Sequence, residues 1–353
     1  MSTLALIEKL ASEHSLSCDE YFELVRGYCG KTDSVIRAYA DKARRAVFGN
    51  KVYLRGLIEI SNICSNDCYY CGIRKSNSLC ERYRLDKEQI LSCCKIGYSL
   101  GLWTFVLQGG EDGYFTDDRL CSIISDIKSL YPDAAVTLSL GERGRESYRA
   151  LRSAGADRYL LRHETADKDH YGMLHPKNMS FDNRMKCLND LRCEGFQVGC
   201  GFMVGSPFQT EEHIAKDLKF IEEFKPEMCG IGPFIPHNET PFGSFGIMPH
   251  ASALTCYLLS VVRLIHPDIL LPSTTALNSV GSGGRENGIL HGANVIMPNL
   301  SPASVREKYM LYNGKAFTGC EAAEGIAELM ASMAKIGFEA TGSRGDHPSV
   351  NLN

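Results

Sequence analysis

The run Val52-Tyr53-Leu54-Arg55-Gly56-Leu57-Ile58-Glu59-Ile60 leads directly into Ser61-Asn62-Ile63-Cys64-Ser65-Asn66-Asp67-Cys68-Tyr69-Tyr70-Cys71-Gly72. The first part is a strand-like apolar run. The second is a C-x3-C-x2-C loop with an aromatic residue just before its last cysteine. A four-iron cubane ordinarily takes four cysteine ligands. Three thiolates can hold such a cluster and leave one iron open to a substrate or cofactor. A zinc site wants four ligands, often as two C-x2-C pairs; here there is one pair, with Cys80 as the remaining candidate. Chance proximity among 15 cysteines does not explain why the three directly follow a strand.

The loop resembles that of radical S-adenosylmethionine (SAM) enzymes, whose open iron chelates the amino and carboxylate groups of SAM. The resemblance implies a [4Fe-4S] cluster on Cys64, Cys68 and Cys71 with one non-cysteine-ligated iron, SAM as cofactor, and a low-potential electron donor.

Working outward, the chain has 353 residues, 44% of them hydrophobic, enough for one large core or two ordinary domains. The net charge of -4 gives no basic excess, so nothing points to nucleic acid. The N-terminal residues lack the basic start and apolar run of a signal peptide, and no stretch approaches a membrane span. Fifteen cysteines in such a chain predict a reducing, cytoplasmic setting. Cys93, Cys94, Cys121, Cys187, Cys193, Cys229 and Cys256 read as small buried hydrophobes.

The first fifty residues carry helical stripes (Leu4, Ile7, Leu10, Ala11, then 34–48) and predict an N-terminal helical cap. From residue 52 a rhythm of apolar strand, polar turn and helix begins. Strands are expected at 52–60, 103–108, 135–140, 157–162, 197–204, 228–235, 268–273 and 293–297. Eight strands alternating with helices predict an α/β fold, a complete (βα)8 TIM-type barrel, over 51–315. An open doubly wound sheet is the competitor, but it wants a glycine fingerprint after its first strand, where this chain has cysteines. Residues 316–353 are expected as a C-terminal helix and tail packing on the barrel, with a frayed polar end from Gly337.

In a barrel, chemistry belongs at the strand C-termini, and the unusual residues fall there. Gly109-Gly110 lets backbone approach an ammonium closely, or is an ordinary turn. Arg184 offers a bidentate clamp for a carboxylate, or a surface ion pair. Glu164 can accept from ribose hydroxyls, and Arg162 can attract a second carboxylate. By alternation His163 points the other way and reads as structural. Thr274 and Thr275 offer hydroxyls to an anion, or fill a strand end. Gly281-Ser282-Gly283-Gly284-Arg285-Glu286 reads as an anion nest or a flexible loop. No side chain is an obvious general base.

Longer segments narrow the resemblance. Arg82-Tyr83-Arg84, Gln108-Gly109-Gly110-Glu111-Asp112, Thr137-Leu138-Ser139-Leu140-Gly141-Glu142, Arg162-His163-Glu164-Thr165-Ala166, Gly230-Ile231-Gly232-Pro233-Phe234-Ile235-Pro236-His237, Thr274-Thr275-Ala276 and Gly292-Ala293-Asn294-Val295-Ile296-Met297-Pro298-Asn299 are similar to the [FeFe]-hydrogenase maturase HydE family, from about residue 50 to about 315. The resemblance implies that Tyr70, Gly109, Gly110, Glu111, Ser139, Glu164 and Arg184 bind the cofactor. It implies that Arg162, Thr274, Thr275 and Tyr309 meet the substrate, a small cysteine-bound iron carbonyl-cyanide species. The partners it implies are the maturases HydG and HydF. Some members carry a second cluster on three cysteines near the C-terminus; this chain has only Cys320 there, so none is expected. The rivals are a methylornithine-synthase-like mutase, a biotin-synthase-like sulfur-insertion enzyme, and a non-catalytic iron–sulfur carrier.

Overall fold

A computed structural model describes residues 1–281, 283–315 and 322–350. Its strands are β1 (Lys51–Leu54), β2 (Gly56–Ser61), β3 (Thr104–Gly109), β4 (Ala135–Ser139), β5 (Arg158–Leu160), β6 (Gln197–Cys200), β7 (Met203–Val204), β8 (Met228–Cys229), β9 (Gly232–Pro233), β10 (Val295–Ile296) and β11 (Glu339–Thr341). Six of them form one parallel sheet in the order β2-β3-β4-β5-β6-β8. Parallel pairs β7-β9 and β10-β1-β11 complete the strand set. Single parallel bridges join Met228 to Leu270, Pro272 to Val295, and Asn299 to Leu57.

The strands are apolar because they are buried on both faces. Every residue of β2 is buried, as are the first four of β3 and of β4. Burial relaxes only at the last residues, Gln108, Gly109 and Ser139, where a cavity opens. The covering helices start at side-chain caps: Asp86 with Gln89 before Lys87–Ser99, Thr116 before Asp117–Leu130, and Ser180 before Phe181–Cys193. Three N-terminal helices, α1 (Thr3–Glu13), α2 (Cys18–Arg26) and α3 (Gly30–Phe48), pack on the outer helices. The Tyr21 hydroxyl donates to Glu222 at 2.6 Å, and the Tyr257 hydroxyl to the Leu24 carbonyl at 3.0 Å. Among the described residues no helix is long and apolar enough to cross a membrane.

Several expected strands are broken, each for a local reason. The run 52–60 divides at Arg55, because β1 pairs with β10 and β11 while β2 pairs with β3; hydropathy reports burial, not partners. The runs 197–204 and 228–235 break at facing glycines: a Cβ on Gly201, at φ +149°, would lie 2.0 Å from the Gly230 carbonyl oxygen. The run 268–273 contributes only bridges, and its Pro272 has no N–H to give a ladder. Of the cysteines expected inside, Cys193 is exposed and Cys121 half-buried.

The expected frayed end is corrected. β11 pairs in parallel with β1, and the residues after it cover the N-terminal end of the sheet. The Asp346 carboxylate accepts from Arg158, from Gln197 Nε2 at 3.0 Å and from Arg344 Nε at 2.7 Å. The Gly345 carbonyl accepts from Arg55 Nη2 at 3.2 Å. Polar composition read as solvation, yet these groups are the partners of buried arginines.

Candidate active site

The cysteine loop leaves the C-terminal end of β2 and is tied to itself. The Arg82 guanidinium donates to four carbonyls, those of Asn62 (2.6 Å), Ile73 (2.8 Å), Arg74 (2.6 Å) and Asn77 (3.0 Å). Asn62 Nδ2 donates to the Glu81 and Lys308 carbonyls at 2.8 and 2.7 Å, and its Oδ1 accepts from Tyr83 N–H. Two glycines allow the loop to pack. A Cβ on Gly110 would meet the Ile63 carbonyl oxygen at 2.3 Å and Cys64 Cβ at 2.7 Å, and one on Gly72 would meet the Met310 carbonyl oxygen at 2.2 Å. The Cβ position of Gly110 is therefore taken by the loop, while the backbone of Gly109 and Gly110 lines the cavity.

Cys64, Cys68 and Cys71 line one cavity of about 310 Å³ at the C-terminal end of the sheet. Burial pushes all three thiols up, Cys71 to about 12, with the neighbouring cysteines adding to the effect at Cys68 and Cys71. Bare thiolates are thus disfavoured, and a metal that demands thiolate would hold them deprotonated. Among the described residues no three His, Cys, Asp or Glu side chains are spaced for a single metal ion. Cys80 lies off the cavity, 3.5 Å from Asn62 Nδ2.

The other strand ends complete the walls. Gln108 and Gly109 end β3 and Gly110 and Glu111 follow it, while Ser139 ends β4 and Gly141 follows it. Arg162 and Glu164 follow β5, Arg184 sits on the helix Phe181–Cys193, and Thr274 and Tyr309 close the far side. Glu111 Oε1 accepts from Glu142 N–H at 2.8 Å across the Gly141 turn, and its burial raises the carboxyl. Tyr70 is held by His175: the imidazole Nδ1 lies 3.0 Å from the Tyr171 carbonyl, leaving Nε2 to accept from the Tyr70 hydroxyl at 3.1 Å. Gln108 Nε2 donates to the Tyr309 hydroxyl at 3.4 Å.

Three features mark a place for a ligand. Glu164 has φ +66°, a conformation that L residues rarely adopt. Its Oε2 lies 3.2 Å from Arg162 Nη2 without hydrogen-bond geometry. That oxygen and Arg162 Nη2 have only this ion pair, and Arg162 Nε and Thr274 Oγ1 are buried without a hydrogen-bond partner. Buried polar groups in folded proteins are nearly always hydrogen-bonded, so the loosely held Arg162–Glu164 pair and the Thr274 hydroxyl leave hydrogen-bonding capacity in the cavity lining. Three thiols beside them fit an iron–sulfur cluster with a polar cofactor next to it.

Some expected residues sit differently. Arg184 reaches the cavity, but its Nε is paired with Glu142 and its Nη1 donates to the Arg162 carbonyl. Thr275 does not line the cavity; it begins the helix Thr275–Val280, and its carbonyl accepts from Ser279. The Gly281–Glu286 segment is also off the cavity, with Ser282 outside the described residues and the Arg285 carbonyl occupied by Ser273. Cys320 likewise lies outside the described residues. His163 faces away from the cavity, as alternation predicts. The sequence reading passed over Met179, Tyr312 and Glu142. Glu142 was legible, since it ends the Ser139-Leu140-Gly141-Glu142 run that Arg184 needs as its counter-charge.

Comparison with known proteins agrees with this geometry. A sequence model of the Radical SAM superfamily matches residues 58–221. The chain is 44% identical over 281 residues to the [FeFe] hydrogenase maturase subunit HydE of Thermotoga maritima, covering 78% of each chain. It is 27% identical over 308 residues to 3-methylornithine synthase of Methanosarcina acetivorans, covering 87% of this chain and 86% of that one. The crystal structure of methylornithine synthase (PylB) superposes with a TM-score of 0.80 at 23% identity, over 95% of this chain and 97% of that one, a likeness of fold.

Proposed function

The chain belongs to the HydE family of [FeFe]-hydrogenase maturases within the radical SAM superfamily, and from that membership we propose how its residues divide the work. It is a radical SAM enzyme of hydrogenase maturation, and its family uses a [4Fe-4S] cluster and SAM. On one-electron reduction those cofactors supply a 5′-deoxyadenosyl radical. In our reading Cys64, Cys68 and Cys71 would hold the cluster by three thiolates, which would leave one iron for SAM. Gly109, Gly110 and Glu111 present the β3 edge to its amino group, and Tyr70 and Ser139 border the cofactor. Glu164 Oε2 accepts from the ribose hydroxyls. Arg184, already anchored by Glu142, turns its remaining N–H groups toward a carboxylate.

Arg162, Thr274 and Tyr309 then face the substrate, a small cysteine-derived iron complex; Thr275, the next residue, opens the helix that Thr274 precedes. The buried walls exclude water and keep a reactive radical aimed at one atom, which is what a protein contributes to cofactor chemistry. The observation that carries this reading is the Arg162–Glu164 pair without hydrogen-bond geometry and the unpartnered Thr274 hydroxyl, beside three thiols in one cavity.

We read the strands as a closed eight-membered barrel over 51–315, with 1–50 as a helical cap and 316–353 packing on it. The bridges Met228–Leu270, Pro272–Val295 and Asn299–Leu57 support closure, because they continue the sheet from β8 back to β2. A cytoplasmic setting, a low-potential electron donor, receipt of substrate from HydG and transfer toward HydF complete the reading. The methylornithine-synthase alternative is supported by the likeness of fold.

The test is anaerobic reconstitution with iron and sulfide, reduction, and EPR with and without SAM, with 5′-deoxyadenosine measured in the same tubes. A four-iron signal shifted by SAM and lost in Cys68→Ala is expected. Deoxyadenosine should rise with a cysteine-derived iron complex. Formation of 3-methylornithine would favour the synthase, and an unshifted signal a plain carrier.

A further inference from the structure

We propose that His163 and Asp217, which do not touch the cavity, form a buried clip that positions Glu164 and Arg162 for ligand. The inference rests on the reading of Glu164 as a SAM contact and adds the residues that make that contact possible.

Arg162, His163 and Glu164 leave β5 in succession, with the two charged residues toward the cavity and the imidazole away from it. Glu164 sits at φ +66°, a conformation that strains a residue with a Cβ. Surrounding contacts must therefore hold it. Glu164 N–H donates to the Gly201 carbonyl at 3.0 Å, and Gly201 N–H donates back to His163 Nδ1 at 3.2 Å. A ring nitrogen that accepts carries no proton, so the imidazole is neutral with its hydrogen on Nε2. That nitrogen lies 3.3 Å from Asp217 Oδ1, a close polar contact without hydrogen-bond geometry, and Asp217 Oδ2 is buried without a partner. Asp217 Oδ1 also accepts from Ala166 N–H at 2.5 Å. One carboxylate oxygen thus reaches residue 163 on one side of Glu164 and residue 166 on the other.

The clip has no exposed member: His163 and Asp217 are both fully buried. The ring packs against Phe220 and Phe202, with centroids 4.7 and 6.0 Å away. Burial drives the imidazole down to about 3 and the carboxyl well up, in keeping with a ring that stays neutral. A buried carboxyl on the helix Glu211–Phe224 is costly unless it is used. Here its use is to fix the turn that aims Arg162 and Glu164.

The test is a double-mutant cycle on the cluster-loaded enzyme, reading the SAM dissociation constant by equilibrium dialysis and the thermal midpoint in parallel. Glu164→Gln alone tests the underlying reading: unchanged SAM affinity overturns it and this inference with it. Asp217→Ala is expected to weaken SAM about tenfold, the size of one buried donor left unpaired. Asp217→Asn, which keeps an oxygen at the Oδ1 position, is expected to stay within about twofold of the parent. In Glu164→Gln/Asp217→Ala the losses should not add, because the clip acts only through Glu164 and its neighbour. The thermal midpoint should instead be additive. If Asp217→Ala does not fold, His163→Phe keeps the ring packing, removes both nitrogens and enters the same cycle. Additive SAM losses, or an Asp217→Asn as weak as Asp217→Ala, would overturn the clip while leaving the Glu164 reading intact.

Discussion

The Arg82 guanidinium donates to the Asn62 carbonyl at 2.6 Å and, from the same fork, to the Asn77 carbonyl at 3.0 Å. It therefore joins the two ends of the cysteine loop across a stretch that contains all three candidate iron ligands. The loop is shaped by a residue that is not itself a ligand. Arg82→Met should leave several inward carbonyls unpaired and destabilise the protein by about 2–4 kcal/mol, at about 1 kcal/mol for each hydrogen bond lost. Iron and sulfide bound after reconstitution should fall by more than half. Arg82→Lys, a point charge without the fork, should recover only part of the iron. Full iron content in Arg82→Met would show that the loop needs no staple.

Gly110→Ala offers a sharper test, because the obstacle is backbone. The new Cβ would press on the Ile63 carbonyl and on Cys64, and neither is a flexible side-chain end. Loss of the cluster absorption is expected, with a folded protein remaining. Gly113→Ala is the control: nothing lies within 4 Å of its Cβ position, and its absorption should match the parent.

Glu164→Gly should separate stability from binding. Glycine accepts φ +66° without strain, so unfolding free energy should rise by roughly 0.5–1 kcal/mol. SAM affinity should fall in the same protein, since the carboxylate is gone. Calorimetry of the iron-free protein and dialysis of the loaded one report the two effects independently, and a variant that loses both would contradict the strain argument.

Thr274→Val and Thr275→Val form a matched pair. Thr274 Oγ1 lines the cavity unpartnered, whereas Thr275 is off the lining. Only Thr274→Val should raise KM for the substrate, by about tenfold if one hydrogen bond is lost. Equal effects would place the substrate elsewhere.

The pH dependence of stability should carry the mark of Asp346. Burial works against its charge, but Arg158 and the hydrogen bonds from Arg344 and Gln197 hold it down at about 2, against an ordinary 3.8. A carboxylate depressed on folding stabilises fully above its unfolded value, and that share is lost as pH falls from about 4 through 2. The contribution is about 2 kcal/mol. Asp346→Asn should remove this acid limb, and should cost about 3–5 kcal/mol near neutrality because Arg158 is left buried and unpaired. Denaturant titrations of the iron-free protein at pH 3 and pH 7 measure both.

What could be read from the chain followed from local chemistry. Ligand spacing, strand-end position and alternation around Arg162-His163-Glu164 are properties of neighbours in sequence, and they placed the thiols, Glu164 and Arg162 in one cavity. The misreadings share another origin. The glycine break at Gly201 makes sense only against Gly230, and the carboxylate of Asp346 only against Arg158. Arg55 likewise makes sense only against the Gly345 carbonyl, 290 residues away. Pairings across such distances leave no pattern in composition or periodicity, so polar residues that serve buried partners look the same as solvated ones.

Arg158 and Asp346 are separated by 188 residues. During synthesis the β5 guanidinium therefore emerges long before its counter-charge, and the sheet must wait with a buried cation uncompensated. Folding of this chain should be late and concerted rather than progressive, with residues 344–347 acting as the closing step. Ribosome-stalled chains that stop before residue 339 are expected to be degraded rapidly by protease, and chains extended past residue 350 to resist it.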